Sequence, residues 1–360
     1  MLVDCDINIR PMKEDEKDKV SAAMHRSFSL IERWSFYFTP DVLIGERDGE
    51  VLGAIVLKTF EISQNSKGGL IAWVFTVPEA RGLGLGQTLS EAGIDFLEKQ
   101  GCKEIFAAVE GHNTSSAKLF ASRGFGILSP GQQFHRYGVK VLKLWLKTSH
   151  LIDVGHFLWM KPAPEQKAKP SLQLWGTMLL TCLVWPLLLW RMAGGINPMR
   201  WLGLSIAAII LFGIRYAAMI LTARRQGLQV RYRAWESGFP LSIAVAVVLG
   251  GTYLIPGNVY PSGHDWRYKD LLLKLSRMAL YAILSVLIIT ILAGASVHFK
   301  LIHPALTVFF RSIFHVGTAL LLVDTCLVFL KCYNGRRIWD WSKSVWLILT
   351  IIIISLLYIF

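Results

Sequence analysis

The stretch Val77-Pro78-Glu79-Ala80-Arg81-Gly82-Leu83-Gly84-Leu85-Gly86 decides the reading of this chain, because it joins a strand to a helix. Before it, Leu70-Ile71-Ala72-Trp73-Val74-Phe75-Thr76-Val77 is an apolar run rich in β-formers. After it, Gln87 to Gln100 sets Leu89, Ile94, Phe96 and Leu97 at roughly helical spacing. Three glycines at alternate positions allow a tight turn that aims several backbone N–H groups at one point. The positive end of the following helix adds to the pull. The pattern predicts a cradle for a phosphate-bearing ligand.

Further on comes Asn113-Thr114-Ser115-Ser116-Ala117-Lys118-Leu119-Phe120-Ala121-Ser122-Arg123-Gly124-Phe125. Together the two motifs resemble the GNAT N-acetyltransferases, whose Gln/Arg-x-x-Gly-x-Gly/Ala signature reads here Arg81-x-x-Gly84-x-Gly86. The surrounding sequence follows the family's element order. Ile7 to Arg10 reads as a first strand and Lys13 to Phe28 as an amphipathic helix. Val42–Glu46 and Val51–Thr59 read as a hairpin around Asp48-Gly49, and Lys103–Glu110 and Tyr137–Lys147 as later strands. The resemblance covers about residues 5–148 and implies an α/β domain with a mixed central sheet flanked by helices. It also implies acetyl-CoA as the acetyl donor. By that resemblance the backbone of Phe75, Thr76 and Val77 holds the pantetheine arm. Arg81, Gly82, Leu83, Gly84, Leu85, Gly86, Gln87 and Thr88 hold the pyrophosphate, and Asn113 lies near the cofactor.

The family's chemistry is direct attack of a neutral amine on the acetyl thioester, which needs orientation, a proton acceptor and often an acid for the leaving thiolate. The usual acid is a Tyr seven residues after the Asn; here that position is Phe120, which has no proton to give. A common base position is occupied by Ala108. Glu110 and His112 stand nearby on one face of the strand end and are the candidate catalytic pair, while the plain alternative for His112 is a loop histidine. Glu61, Glu79 and Ser122 are further candidates.

The net charge of +13 resembles a nucleic-acid signal until it is divided. Residues 1–170 hold 21 Lys and Arg against 20 Asp and Glu, whereas residues 171–360 hold 17 against 5. The excess lies in the hydrophobic half, where basic residues beside apolar spans mark cytoplasmic loops of membrane proteins, so nucleic acid is not the expected partner. The five cysteines (Cys5, Cys102, Cys182, Cys326, Cys332) include no Cys-x-x-Cys pair and imply no oxidising compartment. Met1 to Arg10 carries Asp4 and Asp6 without an apolar core, so no cleavable signal peptide is expected.

The organisation expected is a cytosolic acetyltransferase domain (1–150), a linker (151–170) and an all-α polytopic domain (171–360). Its five spans would be 171–192, 202–223, 271–293, 304–330 and 345–360. Residues 238–256 are also apolar but open on Gly238-Phe239-Pro240, carry Gly250-Gly251 and close on Pro256, which favours a re-entrant segment over a crossing. In that topology Lys161, Lys167 and Lys169, then Arg224 to Arg233, Arg267 to Arg277, and Lys331 to Arg337 all face the cytoplasm with the N-terminal domain. An integral membrane protein of the plasma membrane is the expectation.

A second resemblance is to the site-2 protease family of intramembrane zinc metalloproteases. Arg215-Tyr216-Ala217-Ala218-Met219 stands where that family places His-Glu-x-x-His, and Tyr333-Asn334-Gly335 where it places Leu-Asp-Gly. The ligand set is replaced by Arg215, Met219 and Asn334, and the general base by Tyr216, which implies an inactive, metal-free relative. The alternative is an unrelated helical bundle. Ionisable groups within spans face the bundle interior, and Arg215, Arg311, His315 and Asp324 qualify. Either they form an internal Arg–Asp network, or Arg215 lies at the base of an anion-favouring cavity.

The function expected is a membrane-embedded, acetyl-CoA-dependent N-acetyltransferase acting on a peptide, protein or aminolipid amine beside the bilayer. The alternative is a catalytically silent acetyl-CoA-binding adaptor or sensor. The acceptor regions implied by the resemblance are about Ser27–Thr39, which is rich in aromatics, and Gly131–Gly138.

Overall fold

The computed structural model describes residues 7–63, 66–151, 153–165, 169–251, 253–254, 257–263 and 266–359. Cys5, Lys167, Pro256 and Phe360, which enter the expectations above, lie outside them.

The N-terminal half is built on a seven-stranded sheet. In chain order its elements are β1 (Asn8–Pro11), α1 (Lys17–Ser27), α2 (Leu30–Ser35), β2 (Asp41–Arg47), β3 (Glu50–Ser63), β4 (Ser66–Thr76), α3 (Leu85–Lys99) and β5 (Glu104–Glu110). These are followed by α4 (Thr114–Ala121), β6 (Gly126–Ile127), α5 (Pro130–Tyr137), α6 (Val141–Lys147) and β7 (His156–Lys161). The strand order is β1-β2-β3-β4-β5-β7-β6, with β4 and β5 the parallel pair. The hairpin between β2 and β3 turns through Asp48 and Gly49 with φ of 53° and 80°, the left-handed pair that a two-residue turn needs to match strand twist. Val20, Met24, Ile44, Ile55, Leu57, Leu89 and Leu97 fill the core between the sheet and helices α1 and α3.

Two boundaries differ from the sequence expectation. Residues 137–147 are not a strand. Val141, Leu144 and Trp145 are buried at helical spacing, and Pro130 opens the preceding helix behind a Ser129–Gln132 capping box. The missing long strand is β7, taken from the segment assigned to a linker. Its Phe157-Leu158-Trp159-Met160 is buried on both faces, which is why it reads as a continuous apolar run without alternation.

In the C-terminal half, α7 (Pro170–Ala193) and α8 (Pro198–Arg225) are followed by β8 (Val230–Ala234), α9 (Gly238–Ala244), β9 (Gly257–Pro261), α10 (Tyr268–His298), α11 (Thr307–Cys326), α12 (Asn334–Trp341) and α13 (Lys343–Ile359). Among the described residues, four helical segments are long and apolar enough to cross a membrane: Pro170–Ala193, Pro198–Arg225, Tyr268–His298 and Pro304–Cys326. The expected fifth span is the 17-residue helix α13. At 1.5 Å per residue it measures about 25 Å, short of a hydrocarbon core of about 30 Å. Ala207, Leu211, Ala279, Ile283, Val316 and Leu320 lock α8, α10 and α11 together, while Leu183, Ile209, Leu221, Ile288 and Leu292 remain exposed on the outer faces. Strands β8 and β9 pair antiparallel, Ala234 opposite Gly257, so the apolar segment between them leaves and returns at the same sheet end.

Candidate functional site

Strands β4 and β5 pair from Gly68–Glu104 to Ile71–Ala107; beyond that β4 runs on to Thr76 and β5 to Glu110. The register of β4 against β3 slips at this point, Val56 facing Trp73 and Leu57 facing Ile71, which leaves Ala72 as a bulge. The bulge bends β4 away where the parallel pairing stops, and the two strands open like a wedge at their C-terminal ends. Phe75 on this strand and Val77 just past its end are buried, and Phe75 packs 5.4 Å from Phe28 and 6.0 Å from Phe36. Trp73 joins the same aromatic cluster, so the expected acceptor stretch Ser27–Thr39 lies against the opened part of β4.

At the mouth of the wedge stands the glycine bend. Gly82 and Gly84 have φ of 85° and 81°, conformations costly for any residue with a Cβ, and Gly84 is the N-cap of α3. The N–H groups of Gln87 and Thr88 turn back to the Gly84 carbonyl at 2.8 and 3.1 Å. The donors left to face a ligand are therefore those of the bend and first helical turn, Leu83 to Gly86, at the positive end of the 15-residue helix α3. The residue types fit a diphosphate: uncharged, with glycine at alternate positions so that the backbone can be presented. The Arg81 guanidinium, exposed beside the bend, donates to the Ser27 carbonyl at 3.2 Å.

Of the other expected site residues, Asn113 caps α4, its Oδ1 accepting from the Ser116 N–H at 3.1 Å. Phe120 is buried against Phe125 at 5.1 Å, so the position of the usual acid is part of the core. Glu110 keeps a partly exposed carboxylate at the C-terminal end of β5, 3.7 Å from the Lys331 ammonium. His112 does not share that access. Its ring lies 5.2 Å from Tyr260, 6.1 Å from Trp266 and 5.1 Å from Tyr268, all from the C-terminal half, and it is 5% exposed. Burial and the neighbouring Arg337 and Lys331 charges hold its pKa well below the usual histidine value.

The contact around His112 is one part of a junction that the sequence does not announce. Glu110, Gly111, Thr114 and Phe157 of the first half and Arg233, Tyr260 and Trp266 of the second line a narrow cleft. Gly111 is required there, because a Cβ would stand 2.5 Å from the Tyr260 ring. Arg337 is fully buried, donates to the Val259 carbonyl at 3.0 Å and approaches His112 Nε2 at 3.4 Å. A second anchor is Glu236. It pairs with His150 at 3.0 Å and accepts from the Gln133 amide at 2.7 Å, whose own oxygen accepts from the Trp145 indole N–H. Burial opposes the charge on His150, but Glu236 and, more weakly, Asp153 overcome it and raise the pKa.

Inside the helical half the three positions singled out from separate segments meet. Arg215 donates to Asp324 at 2.8 and 3.2 Å and to Asn258 at 3.3 Å. Asn334 donates to Asp324 at 2.8 Å and its Nδ2 lies 4.0 Å from the Met219 sulfur. Arg215 and Asp324 are almost fully buried, so this is the internal Arg–Asp network rather than a cavity with a free cation at its base. Asn258 was missed because nothing local marks it. Arg311 and His315 face outward. Among the described residues no cluster of His, Cys, Asp and Glu suits a metal.

Residues 9–125 match the model of the Acetyltransferase (GNAT) family, which makes this part of the chain a GNAT acetyltransferase domain. Mycothiol acetyltransferase of Stackebrandtia nassauensis is 30% identical over 113 residues, 31% of this chain and 37% of that protein. The enzyme of the same name from Amycolatopsis mediterranei is 32% identical over 98 residues, 26% of this chain and 33% of that one. The chain thus spans about a third of the length of these relatives. Among solved structures, N-acetylglutamate synthase from Neisseria gonorrhoeae, complexed with coenzyme A and N-acetylglutamate, aligns over 43% of this chain and 34% of its own with 21% identity and a TM-score of 0.33.

Proposed function

We propose that this protein is a membrane-embedded N-acetyltransferase that uses acetyl-CoA. The observation that supports the reading best is the pair of left-handed glycines at the N-terminus of α3, standing at the mouth of the β4–β5 wedge. Leu83 to Gly86 would take the diphosphate, and the free edge of β4 through Phe75, Thr76 and Val77 the pantetheine arm. Bound acetyl-CoA supplies an activated acetyl group. A neutral amine would form the C–N bond as the C–S bond breaks. Glu110, whose carboxylate is reachable from water beside the wedge, would accept the amine proton directly or through a water. Phe120 offers no proton, so the leaving thiolate would take one from solvent.

The bundle Pro170–Cys326 would span the bilayer, with 238–256 as a re-entrant segment and the acetyltransferase domain on the cytoplasmic side. Convergence of Arg215, Met219 and Asn334 supports a degenerate site-2 protease-like scaffold whose metal position is filled by an ion pair and two amides. The acceptor would be an amine held near the membrane surface, on a peptide, protein or aminolipid.

A second reading, a cofactor-binding adaptor without turnover, is favoured by the buried Phe120 and the enclosed His112. One experiment separates the two. Purified full chain in lipid nanodiscs is titrated with acetyl-CoA by calorimetry, then assayed for free thiol with a panel of small amines, amino-terminal peptides and phosphatidylethanolamine. Binding with thiol release supports the enzyme, and binding without release supports the adaptor. No binding by the folded protein removes both.

A further inference from the structure

Helix α6 and the turn before it present an apolar stripe to the outside. Val139, Leu142 and Leu146, at spacings of three and four, are 86%, 53% and 65% exposed, although Val141, Leu144 and Trp145 on the other face are buried. Lys140, Lys143 and Lys147 repeat alongside at the same spacing and are exposed. Lys58 joins them, its ammonium donating to the Lys147 carbonyl at 2.9 Å. An apolar stripe edged with lysines fits a surface that is oily below and anionic above, because the lysine stems lie along the apolar region while the ammonium groups reach the head groups.

The position of α6 argues for the same partner. Its inner face holds Trp145, which bonds Gln133, which bonds Glu236; His150, just past the helix, closes on the same carboxylate. Glu236 lies immediately before α9, and α9 runs into Val247, Val248 and Leu249, which are exposed and apolar. The helix is therefore fixed to the rim of the apolar bundle at the residue where a chain segment turns into it. A second copy of this chain is a poor occupant, since a symmetric contact would set the same lysines against each other.

We infer that the outer face of α6 is an interfacial membrane contact for anionic lipid, which lays the acetyltransferase domain on the bilayer that holds the helical half. The inference rests on the membrane-embedded reading above. The test incorporates a photoreactive benzoyl-phenylalanine at Leu146, or at Asp95 on exposed α3 as control, in the full chain. The protein is reconstituted into phosphatidylcholine vesicles with and without phosphatidylglycerol, and lipid adducts are quantified by mass spectrometry after flotation. The expected result is abundant adduct at Leu146, little at Asp95, and enrichment of phosphatidylglycerol among the adducts. That enrichment should drop by roughly fivefold for each of Lys140→Gln, Lys143→Gln and Lys147→Gln. Protein that floats with the vesicles but gives equal adduct at Leu146 and Asp95 overturns the inference and leaves embedding intact. A Leu146 cross-link to a second chain or to another protein overturns it in favour of that occupant. Protein that does not float overturns both.

Discussion

At the residue scale, Gly84 and Glu110 carry the two parts of the proposed site, the cofactor cradle and the proton acceptor. Gly84 sits at φ of 81° with open space where a Cβ would go, so what a larger residue meets there is backbone strain and not a clash. A left-handed conformation costs an L-residue about 1–2 kcal/mol, more for a β-branched one. Gly84→Val should lower the unfolding midpoint by a few degrees and weaken acetyl-CoA binding at least tenfold, because relief of the strain turns the Leu83–Gly86 donors out of line. Calorimetry with unchanged affinity would rule out the cradle. Glu110 is reached by a different comparison. Glu110→Gln should lower kcat by about 10²–10⁴ and leave KM for acetyl-CoA nearly unchanged. Lys331→Gln, which removes only the partner 3.7 Å away, should alter kcat far less. Equal losses from the two changes would mean that the ion pair, and not the carboxylate, matters.

At the scale of elements, the polar centre of the helical bundle shows what the sequence discloses and what it hides. Arg215, Met219 and Asn334 were legible because each sits in a recognisable local pattern, and Asp324 because a carboxylate in an apolar helix needs a partner. Asn258 lies in β9, a five-residue strand whose pairing to β8 is set by contacts distant in sequence, so no periodicity points to it. The same limit explains the later strands. A buried strand such as β7 and a short helix such as α6 both read as apolar runs, and only the sheet decides between them. The wedge was easier to read, since the bend needs glycine itself. For the buried pair, removing one partner strands a charge and costs about 3–5 kcal/mol, whereas replacing both by apolar groups is often neutral. Arg215→Leu should therefore sharply lower the midpoint of thermal unfolding in detergent, and Arg215→Leu with Asp324→Leu should recover most of it. A double variant no better than the single would show that the network is held by its amides.

For the whole molecule, the junction between the halves was not legible at all, because His112, His150, Glu236 and Arg337 carry no local motif and meet only in the folded chain. It also has a pH dependence that follows from two opposite shifts. His112 has its pKa lowered by burial and by Arg337 and Lys331. Its contribution is complete above the unperturbed value of about 6.5 and is lost as pH falls from there, when the separated state takes up a proton that the junction refuses. His150 has its pKa raised by Glu236 against the effect of burial. Its contribution is complete below about 6.5 and is lost as pH rises through the raised value. The junction should thus be tightest near the ordinary histidine pKa and loosen on both sides. A protease site placed between Lys161 and Pro170 allows this to be read directly. After cleavage in detergent the two halves should co-elute near pH 6.5 and separate increasingly toward about pH 5 and about pH 9. His112→Gln should abolish the acid limb alone, whereas Glu236→Gln should remove the alkaline limb and steepen the acid one, because burial, no longer opposed by the carboxylate, then lowers the His150 pKa. Halves that dissociate to the same extent at every pH would mean that apolar packing around Tyr260 holds the junction, and that neither histidine regulates how the N-terminal domain sits on the helical half.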